Sequence, residues 1–230
     1  MKTAPVEVLI FGAHPDDVEW AAGGIAIRLS DEKVPFGIVD MTNGEMGSRG
    51  TVEQRKSEAK RAADYLGISV RENLNLPDCG LMDSPENRRL VASAIRRHRP
   101  RVVLAPLWED RHPDHAAAGA IVHKSRLYCS LTNLHDPNPP HRPAAFLFYP
   151  IHNFHQPTFV IDTSGVYERK LELMQVYGSQ FHEAVGDFLF RLESRDRYYG
   201  SLIGVHHGEA LVADQPIPVQ ELRGLLSLLT

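Results

Sequence analysis

Apolar positions along the first 130 residues switch between two periods. Residues 6–13 (VEVLIFGA) form a continuous apolar run of strand length. Residues 17–30 follow with Val18, Ala21, Ala22, Ile25, Ala26 and Leu29 at helical spacing. The pair then recurs. Residues 34–41 read as a strand, and "TNGEMGSRGT" after it is a glycine-rich loop. Thr51 with Gln54 three residues on is a capping-box signature for a helix to about Leu66. Residues 70–76 read as a third strand, and Ser84-Pro85 opens a helix with Ser at the cap and Pro at the first helical position. Residues 101–105 (RVVLA) give a fourth strand, and Pro113 opens a helix to about Tyr128.

Strict alternation of strand and helix predicts an α/β fold, with a Rossmann-like, mostly parallel sheet flanked by helices over residues 1–130. Residues 131–230 predict a smaller C-terminal α+β extension completing the cleft. "HDPNPPHRP" (135–143) reads as a loop, "AAFLFYP" and "TFVID" as short strands, and residues 166–177 and about 184–199 as helices. There is no internal repeat. The proline-rich stretch reads as a loop within one domain, because the remaining C-terminal segment is too small to fold alone.

Composition narrows the classes. A net charge of −4 gives no support to nucleic-acid binding. Two cysteines, Cys79 and Cys129, in no CxxC pairing read as free thiols of a reducing compartment. No signal peptide and no apolar run of membrane-spanning length are present, so the expectation is a soluble, cytoplasmic protein with no membrane partner.

The chemistry concentrates in two turns that follow predicted strands, "GAHPDDVE" after the first and "EDRHPDHAAAG" after the fourth. Ligands of open α/β sheets gather at the carboxyl ends of strands. The first turn lacks GxGxxG, which weakens nucleotide binding, and Gly23-Gly24 sits a turn into the helix where it allows close packing. His14 and Asp17 share a helix face at i, i+3, as do His112 and His115. Asp16 is out of phase with Asp17 and is left as a free carboxylate. Spacing thus offers four metal donors, His14, Asp17, His112 and His115. Four bound would make a closed structural site, whereas three would leave one position open, as catalytic zinc sites require. Either turn alone reads as ordinary helix capping; two turns with matching geometry point to a metal.

These segments, with "MTNGEMGSRGT", resemble the signature stretches of the LmbE-like (PIG-L) zinc-dependent N-deacetylases. "LNLPD", "APLWEDRHPDHAAAG", "PPHRP" and "HNFHQPTFVIDTS" are most similar to the branch that deacetylates N-acetylglucosaminyl-malate in bacillithiol biosynthesis. The resemblance implies one Zn2+ per chain (other divalent ions suit the same donors) on His14, Asp17 and His115, with Asp16 as general base. It makes His112 a non-ligand that stabilises the oxyanion, held cationic by Asp114, the acid that also matches the one orienting the last histidine. It places Arg55 in the pocket of a small amino-sugar substrate, with Arg142 assigned to the same task. It also implies a homo-oligomer, of which hexamers are the form in close relatives. Trp20 stands where relatives carry a small or aliphatic residue, and Cys79 where they tend to carry arginine. Tyr149, His152 and His155 lie in the region of a carbonyl-contacting tyrosine without aligning to it, and Glu45 is placed near sugar hydroxyls by its loop alone. The rival readings are a non-haem iron oxygenase built on the same donors and a sugar-binding module with a structural metal.

Overall fold

The computed structural model describes residues 5–181 and 186–217. Strand β1 (Val8–Gly12) is buried along its whole length and runs into helix α1 (Asp17–Asp31). β2 (Phe36–Thr42) is equally buried. Helix α2 (Val52–Leu66) begins with the expected capping box: the Gln54 amide donates to Thr51 Oγ1 at 3.2 Å, and the Thr51 amide donates to Gln54 Oε1 at 2.8 Å. β3 (Val70–Leu76) leads to α3 (Pro85–His98), whose Ser84 cap accepts the Asn87 amide. β4 (Val102–Pro106), α4 (Pro113–Ser130), β5 (Ala145–Tyr149) and β6 (Phe159–Asp162) follow. A 3-10 turn (Ser164–Val166) precedes α5 (Tyr167–Gln175); then come α6 (Gly186–Ser201) and β7 (Gly208–Ala213). The expected start of α6 near residue 184 lies outside the described residues.

All seven strands join one sheet in the order β3-β2-β1-β4-β5-β7-β6. The first five are parallel, while β7 runs antiparallel to both β5 and β6. β7 was not anticipated. "GEALVA" is short and lacks alternation, and its strand character comes from filling the space between β5 and β6. The α3/α4 face of the sheet packs around Leu9, Phe11, Val39, Val91, Ile95 and Ile121; the other face packs around Ile10, Ile38, Leu104, Ala26, Leu173 and Tyr177.

Chain order reverses between β1 and its two neighbours: α1 carries the chain to β2 on one side, whereas β4 lies on the other. The carboxyl ends of β1 and β4 therefore border the crevice where α/β sheets take their ligands. Both histidine turns leave the sheet there.

Helix α1 is broken at Ala22 (φ −134°, ψ 22°), which frees backbone amides in its middle. Glu209 of β7 accepts the amides of Gly24 and Ile25, both at 2.7 Å. Buried Lys170 neutralises that carboxylate at 2.6 Å and reaches Asp196 at 2.5 Å. Gly24 has no room for a side chain, since a Cβ would stand 2.6 Å from Thr163 Cγ2, so the diglycine serves close packing. Trp20 packs on Phe188, with ring centres 3.8 Å apart.

Candidate metal centre

The turn after β1 is backed by tight local bonding. The His14 amide donates to Asp17 Oδ2 at 2.8 Å, which fixes Asp17 across the start of α1. Asp16, the N-cap, has φ 117°, a conformation that side-chain-bearing residues rarely adopt. Strain of this kind costs roughly 1–3 kcal/mol and persists only where surrounding structure imposes it. The Asp16 carboxylate at this turn lies 3.3 Å from the Arg55 guanidinium.

His14, Asp17 and His115 converge, each offering one donor atom within 4.8 Å of the others, and all three residues are buried. His115 Nε2 lies 3.1 Å from Asp17 Oδ1, and His14 Nδ1 lies 3.4 Å from Asp17 Oδ2. The outer nitrogens are held as well. His14 Nε2 is 3.0 Å from Asp78 Oδ1 and 3.4 Å from Asp114 Oδ2. His115 Nδ1 is 3.3 Å from Asp110 Oδ1. An ionised carboxylate only accepts, so the outer acids hold a ring hydrogen on the outer nitrogen of each imidazole, and the inner nitrogen, which faces Asp17, is the one that would give up its proton to a cation. That is the arrangement by which second-layer acids orient metal-binding histidines.

The electrostatics agree. Burial alone would strip the proton from His14, but Asp114, Asp17 and Asp78 override it and raise His14 to about 12. Burial also opposes charge on His115, yet Asp17 and Asp110 raise it to about 9. Burial would push Asp17 up, but His115 and His14 hold it well below the usual carboxylate range. A pocket with so much negative charge fits a cation, and two imidazoles with one carboxylate fit a borderline divalent ion such as zinc.

Several expectations need correction. Asp114 does not orient the last histidine: its carboxylate accepts the amides of Cys79 at 2.7 Å and Leu81 at 3.3 Å and faces His14. The acid on His115 is Asp110. It also accepts His152 Nδ1–H at 2.9 Å and the amides of His112 at 2.8 Å and His152 at 2.9 Å. Nor is His112 held cationic. Its Nδ1 accepts the Asp114 amide at 3.2 Å, and burial with the neighbouring His115 and His14 lowers its pKa. A nitrogen that accepts cannot carry a proton, so neutral His112 keeps its hydrogen on Nε2.

Arg55 is buried and turned inward. It donates to the carbonyls of Pro15 at 2.8 Å and Gly44 at 3.2 Å and lies 3.3 Å from Asp16 Oδ1. Its place in the first turn of α2 brings it under the strained loop, where its two terminal nitrogens meet backbone carbonyls and Asp16 while Nε has no partner. Burial raises the Asp16 carboxyl to about 7 against the pull of Arg55. Arg142 stands at the opposite end of the sheet, three residues before β5 begins and beside Asp214 and Phe146. Tyr149 is a core residue whose hydroxyl donates to the Phe11 carbonyl at 2.5 Å. Glu45 accepts the Asp78 amide at 2.8 Å, and exposed Cys79 (φ 56°) contributes its backbone amide to Asp78 and Asp114. His155 Nε2 meets the Glu109 carbonyl at 3.0 Å. His152 stacks on His115 with ring centres 5.0 Å apart, a quarter of its side chain exposed.

Asp78 and Asp110 are the residues missed as site members, and His152, placed in the region without a role, is a partner of Asp110. Asp78 stood in "LNLPD" and Asp110 in "EDRHPDH", so the only available signal was a carboxylate just past a strand end.

With this geometry in view, likeness to known proteins can be set beside it. The model of the family described as PIG-L: GlcNAc-PI de-N-acetylase matches residues 9–125. A diacetylchitobiose deacetylase of Thermococcus kodakarensis is 31% identical over 221 residues, covering 89% of this chain and 82% of its own. A probable N-acetyl-alpha-D-glucosaminyl L-malate deacetylase 2 of Bacillus anthracis is 28% identical over 193 residues, covering 76% and 81%. A conserved protein of Thermus thermophilus superposes with a TM-score of 0.87 at 37% identity, covering 93% of this chain and 97% of that one.

Proposed function

Because the chain belongs to the PIG-L (GlcNAc-PI de-N-acetylase) family, we propose that it hydrolyses the N-acetyl group of a small N-acetylglucosamine conjugate at a single zinc site. The observation that carries the reading is the convergence of His14, Asp17 and His115 next to a carboxylate, Asp16, that takes no part in the cluster. When bound, zinc polarises a carbonyl and brings the pKa of water from 15.7 to about 7.

The chain's own residues do the rest. His14, Asp17 and His115 hold the ion; Asp78, Asp110 and Asp114 fix the rings that do so. Asp16 accepts a proton from the attacking water and returns it to the departing amine. Arg55 keeps that carboxylate oriented from below. His112 donates its Nε2–H to the carbonyl oxygen as charge builds there; removing one such donor costs about 10²–10³ in rate.

Among the described residues no helix is long and apolar enough to cross a membrane. The reading takes a small amino-sugar substrate and retains self-association, which light scattering would check. The malate glycoside and diacetylchitobiose are the substrates to compare, given what the relatives act on. Neither Arg55 nor Arg142 is placed to meet malate carboxylates. Arg49 and Arg111, exposed on loops at the catalytic end, are the cations left for that role.

The test is Asp16→Asn assayed for acetate release after metal loading. Metal content and melting temperature should hold while turnover nearly vanishes. Acetate release equal to that of the unaltered protein would remove Asp16 from the reaction.

A further inference from the structure

Strand β3 lies at one edge of the sheet and has two unlike faces. Val70, Leu74 and Leu76 point to the α3 side and join the hydrophobic core. Arg71, Asn73 and Asn75 alternate with them and point beneath α2, where a structural sheet would carry aliphatic side chains. The helix does not compensate. Its facing positions one turn apart are Ala59 and Ala63, and the two elements border a solvent-open groove of about 660 Å³. Ligand pockets run from ~300 to 1,000 Å³. Small residues above polar ones leave space that no side chain of the described protein fills.

The floor is internally bonded: Asn73 Nδ2 donates to the Thr42 carbonyl at 2.6 Å, Asn73 Oδ1 accepts the Asn75 amide at 2.7 Å, and Asn75 Nδ2 donates to the Asn73 carbonyl at 3.2 Å. Arg71 is committed to Asp40 (2.9 and 3.0 Å), Glu19 and the Tyr177 hydroxyl, which makes the floor rigid. Asn43 Nδ2 donates to Asn75 Oδ1 at 3.2 Å, leaving the Asn43 carbonyl oxygen free to accept. Lys56 and Lys60 stand four residues apart on α2 and line the same space, and neither ammonium has an ion-pair or hydrogen-bond partner among the described residues. Of the three carboxylates on the same lining, Asp40 is taken by Arg71 and Glu72 by Arg97 and His98, while Asp64 stands one turn from Lys60. Ser57 and Ser69 add hydroxyls at the wall. Two lysines against one uncommitted carboxylate leave a net positive wall that suits an anionic group, and hydroxyl groups suit a polyol.

We infer that the α2/β3 groove is a second binding site, taking a small anionic polyol of the sugar-phosphate type, with the anion at Lys56 and Lys60. The site borders the catalytic turn at Pro15 and includes none of the metal donors. It does not depend on the deacetylase reading, and the test uses a ligand with no amide.

The experiment is calorimetric titration of the metal-loaded, full-length protein with glucose 6-phosphate, inorganic phosphate and glucose. Glucose 6-phosphate should bind at least about tenfold tighter than either fragment. The exposed double substitution Lys56→Gln/Lys60→Gln should weaken it about tenfold or more, with metal content and acetate release unchanged. Ala63→Leu, which fills the groove, should abolish binding. No binding by the unaltered protein, binding no tighter than that of phosphate alone, or full affinity in the lysine variant would each overturn the inference. Loss of acetate release with binding intact would count against the deacetylase reading alone.

Discussion

Asp110→Asn is the sharpest test of how the histidine rings are held. The carboxylate accepts four N–H groups, two from imidazoles and two from the backbone, and only 2% of its side chain is exposed. Those donors, prevailing over burial, hold it far below the usual carboxylate range, so it is ionised and purely accepting. Three of the four donors, both rings and the His112 amide, share Oδ1, while Oδ2 takes the His152 amide alone. An asparagine keeps the shape but either sets its NH2 group against the His152 amide, leaving the rings a neutral and weaker acceptor, or turns it onto the rings, where the conflict is relieved when a ring moves its hydrogen from Nδ1 to Nε2. For His115 that puts the hydrogen on the edge 3.1 Å from Asp17, which bars the lone pair from a metal. Losing such an outer partner typically costs 10–100-fold in metal affinity, or about 1.4–2.7 kcal/mol. Competition against a chromophoric chelator reads the affinity, and acetate release at saturating metal separates occupancy from chemistry. His152→Ala is the control, since His152 shares Asp110 but not the donor cluster, and its metal affinity should stay within about twofold. Equal affinities for Asp110→Asn and the unaltered protein would refute the tautomer argument.

Two further outcomes concern the scaffold. Glu209→Gln removes the charge that caps the broken middle of α1 and leaves buried Lys170 with Asp196 alone. Breaking a buried pair costs about 3–5 kcal/mol, and at roughly 3 °C per kcal/mol the melt should fall by about 10 °C; a fall under about 2 °C would contradict the network. Asp214→Asn removes the partner of Arg126 (2.8 Å twice) and His123 (2.8 Å). Burial opposes its charge, but Arg126 and then His123 hold Asp214 below its ordinary value. The stabilisation is therefore full above the unfolded carboxyl's pKa of about 4 and is lost as pH falls through the folded value. The variant should be about 1 kcal/mol less stable at pH 7 and match the unaltered protein in denaturant melts near pH 2.

What sequence made legible was what neighbours along the chain decide. The Thr51 capping box, the Ser84-Pro85 start and the run of residues 70–76 are local bargains between side chains and the adjacent backbone, and they appear as expected. So does the convergence of His14, Asp17 and His115, because strand-end turns on a parallel sheet must meet at one edge. Partnerships across long separations were not legible. Asp78 and Asp114 reach His14 from 64 and 100 residues away, and nothing in "LNLPD" distinguishes an acid that faces a histidine from one facing water. The surroundings of Arg55 and Arg142 were not legible for the same reason: resemblance put Arg55 in the substrate pocket and Arg142 was a second candidate, while the structure sets one guanidinium against its own loop and Asp16 and the other at the far end of β5.

The density of acids at the catalytic end carries a thermodynamic consequence. Asp16, Asp17, Asp78, Asp110 and Asp114 gather around His14, His112, His115 and His152 with Arg55 the single arginine in contact among the described residues. Histidine partners, prevailing over burial, hold Asp17, Asp78 and Asp110 below the ordinary carboxylate range, so the cost of this charge falls on Asp16; a cation that binds only the folded state adds to stability, so the metal-free protein should be measurably less stable. A ligand present at 100 times its Kd adds ~2.7 kcal/mol, which for a chain of this size is about 5–10 °C. Asp16 should contribute most to that cost, because burial raises its carboxyl to about 7 despite Arg55. A carboxyl raised in the folded state binds protons there in excess, so the penalty is absent below about pH 4 and complete above about pH 7. Asp16→Asn in chelator-treated protein should thus melt above the unaltered protein at pH 8 and with it at pH 4. The residue that activity cannot spare would then be one that stability could, as expected where strain and charge are concentrated for function. An asparagine variant that melts lower at pH 8 would show instead that Asp16 is held in its left-handed turn by Arg55 as a net stabilising pair.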